Sequence, residues 1–112
     1  MSFATFDIVV VPFPYSDRLA EKRRPALVVS APALEDSLLR IWVAMITSDR
    51  GQHLPGDVQV SDLATAGLPA ASLVRASKIA TIETDRVLRR AGRLSSADVT
   101  AATAALRSFA GF

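Results

Sequence analysis

The sequence predicts a mainly β fold: a small, strongly curved antiparallel sheet or partly open barrel, with one helix at the C-terminus. Three observations predict it. Short apolar runs rich in β-branched residues recur along the chain, proline and glycine separate them, and a single stripe of helical period appears only at the end.

The first strand is Asp7-Ile8-Val9-Val10-Val11-Pro12-Phe13, and Pro14 and Ser16-Asp17 form the turn after it. Pro12 donates no backbone hydrogen bond, which predicts an edge or a bend there. Pro25-Ala26-Leu27-Val28-Val29-Ser30 reads as the second strand, ended by Ala31-Pro32, and residues 39–47 as the third. The third is almost continuously apolar and is expected at the centre of the sheet, covered on both faces. Asp57-Val58-Gln59-Val60 alternates as a half-exposed strand does, and residues 61–64 start a single helical turn before Gly67. Residues 71–82 form a long strand whose alternation puts Leu73, Arg75, Ser77 and Ile79 on one face. Val87-Leu88-Arg89-Arg90-Ala91 is a weaker strand, ended by Gly92. Ser95 caps the closing helix, with Asp98 as the acidic partner of a capping box, and Val99, Ala102, Leu106 and Phe109 make its apolar stripe. Gly111 suits the left-handed position past the helix end.

At 112 residues the chain is expected to be one domain, residues 1–112, with no internal repeat. Half the residues are hydrophobic, yet no run approaches the roughly 18–20 residues of a membrane span, and the N-terminus lacks a signal-peptide pattern. A soluble, cytoplasmic protein with no membrane partner is the expectation. The absence of cysteine removes disulfides, thiolate metal sites and a cysteine nucleophile, and one histidine cannot build the usual His-rich centre. Chemistry without metal or cofactor is therefore expected. Of the 13 cations, 11 are arginine, although the formal net charge is only +2. Residues 18–24 carry four cations against one glutamate, and Arg86, Arg89, Arg90 and Arg93 form a second basic run. Planar guanidinium forks suit a polyanion, while the modest net charge equally suits an ordinary solvated surface.

The basic loop runs into Arg24-Pro25. A residue before proline is forced into extended backbone, so Arg24 is held rigidly while Lys22 and Arg23 belong to the loop. If the loop and the end of the third strand meet at one rim of the sheet, Arg24 stands beside Thr47-Ser48: a guanidinium to balance phosphoryl charge and a hydroxyl to position it. A solvated strand end, or an ion pair of Arg24 with Asp17 or Glu21, accounts for the same residues. His53 lies in Gly51-Gln52-His53-Leu54-Pro55-Gly56, read as a mobile surface loop, with at most a groove or partner contact. Trp42 and Phe13 lie inside apolar strands and are assigned to the core, which leaves Tyr15 as the residue to stack on a base.

These motifs resemble, in order and nearly over the whole chain, the MazF/PemK-like toxins of type II toxin–antitoxin systems. Asp7-Ile8-Val9-Val10-Val11-Pro12-Phe13-Pro14 is similar to the family's opening strand, with Phe6 where glycine is usual. Arg24-Pro25 with its apolar strand, Ile46-Thr47-Ser48, residues 72–82, and Gly92-Arg93-Leu94-Ser95 are similar to four further family segments. The resemblance implies a small SH3-like barrel of the CcdB/MazF type with a C-terminal helix. It also implies a homodimer, a cognate antitoxin partner, and growth inhibition through cleavage of single-stranded RNA (mRNA interferase activity). Arg24 and Thr47 are the implied catalytic residues, and Ser48, Arg75, Lys78, Arg23, Tyr15 and Asp17 the implied RNA contacts. The implied reaction is metal-independent attack of a ribose 2′-OH on the adjacent phosphate, possible only on RNA. Two departures touch proton transfer: the first loop offers only Asp17 or Glu21 for the family's acid, and Ser77-Lys78 replaces the carboxylate and glutamine of some members. Two alternatives stand beside this reading. One is a gyrase poison of the related CcdB type, for which the chain lacks the tryptophan near the terminus; the other is a member that binds RNA or antitoxin without cutting.

Overall fold

The computed structural model describes residues 2–13 and 22–112. Their elements are β1 (Asp7–Phe13), β2 (Lys22–Val28), α1 (Pro32–Leu38), β3 (Arg40–Ser48), β4 (Asp57–Gln59), α2 (Leu63–Ala66), β5 (Ser72–Glu83), a 3-10 turn (Thr84–Arg86), β6 (Arg89–Arg93) and α3 (Ser96–Ala110). All six strands lie in one antiparallel sheet in the order β4-β5-β3-β2-β1-β6. The mainly β class with a terminal helix is the class the sequence predicts.

Alternating side chains build a core on each face. Val9, Val11, Phe13, Ala26, Val28, Ile41, Val43 and Met45 fill one, closed off by Phe3 and Ile82. Ile8, Leu27, Ala44, Ile46 and Val74 fill the other, together with Ala66 of α2 and Ala102 of α3. The apolar β3 sits inside the sheet and contributes to both cores, as its composition requires.

Proline decides where the ladders stop. β6 pairs with β1 only as far as Val10, so Pro12, two residues on, faces no β6 partner that would need its missing N–H. β1 is thus not an edge strand; it is merely uncovered at that end. β2 and β3 pair over just three positions, Ala26↔Met45 to Val28↔Val43, and the ladder ends where Pro25 begins. β2 itself starts at Lys22, three residues before its predicted start, because its other edge stays paired with β1 out to Phe13↔Lys22.

Three local features differ from the sequence reading. Residues 32–38 form α1, a helix the pattern of the flanking strands conceals; Pro32 sits at its first turn, where a missing N–H costs nothing. The helix exposes most of its residues, and so carries no apolar stripe to betray it. Asp98 does not close a capping box with its carboxylate. Ser95 does accept from the Asp98 N–H, but the buried carboxylate turns to Ser61 and accepts from its N–H and hydroxyl, both at 2.8 Å. That bond ties α3 to the segment after β4. In β5 a bulge interrupts the alternation: Ala44 faces Ile79 but Met45 faces Arg75. The three intervening residues, Ala76, Ser77 and Lys78, shift the register, so Arg75 and Ile79 point to opposite faces.

Phe6 adopts φ 72°, the left-handed conformation that costs a side chain but not glycine, which accounts for the glycine implied at this position. Gly92 serves a different need, since a Cβ there would lie 2.4 Å from the Thr65 carbonyl oxygen where α2 packs against β6. Gly92→Ala is expected to cost about 1–3 kcal/mol by overpacking, read as a lower thermal midpoint; an unchanged midpoint would mean that α2 moves away freely.

Candidate active site

Two residues beyond the last β2–β3 pair stand Arg24 on one strand and Thr47 on the other. Strand alternation puts both on the face of Ala26 and Met45, at the end where the two strands part. The register does the work that the sequence could only suppose: Arg24 and Thr47 share one rim. Arg24 lies opposite Val11 and is half-buried, its Nε shielded from solvent. Thr47 is half-buried opposite Leu73, and the exposed Ser48 closes β3 opposite Ser72.

The same face continues across β5 to β4. Arg75 lies opposite Met45 on one side and Asp57 on the other, and its fork grips the Asp57 carboxylate, Nε to Oδ1 at 3.1 Å and Nη2 to Oδ2 at 2.9 Å. Asp57 has no exposed side-chain surface. The Arg75 hydrogen bonds hold its carboxyl below the usual carboxylate range against the opposing effect of burial. Two donors of Arg75 are thus engaged in fixing β4 against β5. Sequence reasoning missed Asp57 because a single acid in an alternating strand carries no sign of its cross-strand partner.

Of the other implied contacts, Arg23 lies opposite Pro12 and so on the reverse face from Arg24, exposed. Lys78 is exposed within the β5 bulge. Tyr15 and Asp17, with Glu21, lie outside the described residues. Within the second basic run, Arg90 and Arg93 turn to the buried Asp7, at 3.0 and 3.7 Å. Arg90 also donates to the Ser2 carbonyl and lies over the Phe3 ring. That pair anchors the N-terminal segment to β6, a structural use that a run of arginines does not disclose.

Thr47 leads directly to a second cluster. Asp49 accepts from His53 Nε2 at 2.9 Å, from the Gly51 N–H at 3.0 Å and from Gln59 Nε2 at 3.0 Å. These bonds, Gln59 first, then Gly51 and His53, hold the Asp49 carboxyl down at about 2. The loop expected to be mobile is pinned at both ends, for the Leu54 N–H donates to Asp57 Oδ2 at 2.8 Å and the Asp57 N–H returns to the Leu54 carbonyl. Among the described residues no three His, Cys, Asp or Glu side chains are grouped to hold a metal ion.

Phe13 is in the core, but Trp42, assigned there from its apolar strand, is 48% exposed. Its face of β3 extends past the cover of α3 and borders an apolar groove of about 580 Å³, lined by Ile79, Leu106, Phe109 and Phe112 among others. Leu106 and Phe109 complete the predicted helical stripe, so its lower half faces this groove and its upper half, Val99 and Ala102, the core.

The family model described as "PemK-like, MazF-like toxin of type II toxin-antitoxin system" matches residues 4–110. The chain belongs to this family. Solved structures share the fold across almost the full length. MazF from Deinococcus radiodurans superposes with a TM-score of 0.80 at 20% identity, covering 100% of this chain and 99% of that one. An endoribonuclease in complex with its cognate antitoxin, from a mycobacterial species, gives 0.78 at 20% identity, with 99% and 97% covered. The Mycobacterium tuberculosis toxin MazF-mt6 gives 0.73 at 24% identity, with 91% and 93% covered. No curated protein sequence matches the chain. No helix of this toxin among the described residues is long and apolar enough to cross a membrane.

Proposed function

We propose that this toxin is an endoribonuclease that cleaves single-stranded RNA without a metal ion and so inhibits growth, and that a cognate antitoxin neutralises it. The observation that carries the reading is the meeting of Arg24 and Thr47 on one face at the parting of β2 and β3, in a chain whose family and fold are those of such toxins. The half-buried guanidinium balances charge developing on the phosphoryl oxygens, and the Thr47 hydroxyl, with Ser48 beside it, positions the phosphate. The metal-free reading rests on a sequence with no cysteine and one histidine.

Homodimerisation is part of the same proposal, supported by the exposed apolar side chains Trp42, Ile79, Phe109 and Phe112. A second copy covering them would remove from water a patch that a monomer rarely presents. A cytoplasmic location follows from the RNA substrate.

The test is incubation of the purified protein with a long single-stranded RNA in EDTA, followed by mapping of the ends. Discrete cuts leaving 5′-hydroxyl ends are expected; intact RNA, or cutting that EDTA abolishes, would contradict the reading.

A further inference from the structure

Among the described residues, Arg24, Thr47 and Ser48 bring a guanidinium and two hydroxyls to the proposed site, and neither a carboxylate nor an imidazole. The cluster next to Thr47 contains an imidazole, the side chain most often used for general acid–base chemistry. Asp49 follows Thr47 by two residues, and its backbone N–H still pairs with the Ala71 carbonyl, so the strand alternation persists past the end of β3. Thr47 and Asp49 therefore lie on the same face, with Cα atoms roughly 6.5 Å apart. Gln59, which reaches Asp49, stands on that face too, because both Gln59 and Thr47 lie opposite Leu73.

We propose that His53 is the proton-transfer residue of this site, oriented by Asp49 and acting on the ribose 2′-OH of RNA held at Arg24 and Thr47; the inference rests on the endoribonuclease reading. A carboxylate only accepts hydrogen bonds, so the nitrogen that faces Asp49, Nε2, carries the hydrogen. The lone pair of the neutral imidazole is consequently at Nδ1. The dyad is held rather than chance, for Asp49 is itself fixed by Gly51 and Gln59 and remains ionised throughout the physiological range. The His53 side chain is 43% exposed, against 13% for Asp49, so the ring is open to a substrate while its orienting partner is sheltered. Gly51 makes this possible, turning the chain at φ 84° so that residue 53 folds back over residue 49.

In the step, Nδ1 takes the 2′-OH proton as the 2′ oxygen bonds to the adjacent phosphorus and the bond from phosphorus to the 5′ oxygen breaks. The proton then passes through solvent to the departing 5′ oxygen. A 2′,3′-cyclic phosphate and a 5′-hydroxyl result, and the imidazole is neutral again. Asp49 stabilises the transient imidazolium, acting as a positioning residue. Among the described residues, Asp57 on β4 is a further charged group that interacts with the ring, and it is itself paired with Arg75 on β5.

The experiment is the single-turnover cleavage rate against pH for wild type, His53→Gln and Asp49→Asn, with binding of an uncleavable 2′-O-methyl RNA measured in parallel. His53→Gln is expected to cut about 100-fold more slowly, to lose the acid limb of the wild-type pH–rate profile, and to bind the 2′-O-methyl RNA as wild type does. Asp49→Asn should slow cleavage and reshape that limb without loss of binding, and added imidazole should partly rescue His53→Gly. Wild-type rate and pH profile in His53→Gln would overturn the inference, as would a loss that only tracks weaker binding. Either result leaves the endoribonuclease reading intact if Arg24→Ala is inactive, whereas intact RNA with wild type removes both.

Discussion

Arg24→Ala is expected to cut RNA at least about 1,000-fold more slowly than wild type, the scale on which one arginine directed at a transferring phosphoryl group acts. Three features of the fold concentrate this effect in one residue. Pro25 fixes the backbone of Arg24, the ladder between β2 and β3 ends beside it, and its Nε is shielded from water, so the guanidinium acts in a lower dielectric than a surface arginine would. Arg24→Lys should recover only a small part of the rate, because an ammonium supplies charge without the planar fork. The measurement is single-turnover cleavage together with binding of 2′-O-methyl RNA and a thermal melt. A folded Arg24→Ala variant that still cleaves within tenfold of wild type would remove Arg24 from the chemistry.

Phe13→Ala is expected to lower stability by about 3–5 kcal/mol, a large share of what a domain of this size possesses. Phe13 is 1% exposed, at the last position of β1, where it packs in the core with Met45 and Ala26. Its strand position pairs with Lys22 at the start of β2, two residues before Arg24. Equilibrium urea unfolding should show a lower midpoint with the slope unchanged. A loss under about 1 kcal/mol would mean that the two-faced sheet closes around the deleted ring, contrary to the packing density of protein interiors.

The two results separate the determinants of the site from those of the frame. They also show which parts were legible beforehand. Val9-Val10-Val11 and residues 41–46 announce their strands by composition alone, and Ser95, Ala102 and Gly111 announce the helix, because periodicity reports which side chains leave water. α1 escaped because an exposed helix buries nothing periodic. The bulge at Ala76, Ser77 and Lys78 escaped because a register shift belongs to two strands at once, and the assignment of Trp42 to the core failed because an apolar strand does not say how far a helix will cover it. Arg75 was legible as a strand cation, but not as the partner of Asp57; His53 was legible as a histidine, but not as the partner of Asp49.

The sequence by itself determined the β class, the terminal helix, the absence of any cysteine chemistry, and the rigid Arg24 before Pro25. These depend on residues close together in the chain, where φ restriction, side-chain period and composition act locally. Only the tertiary structure decided that Arg24 and Thr47 share one face where β2 and β3 part, that Asp57 occupies Arg75, and that His53 is turned onto Asp49 beside Thr47. Each of these joins residues on different strands or across a loop, and their meeting is fixed by sheet register and by where the ladders end, quantities that no single segment of the chain contains.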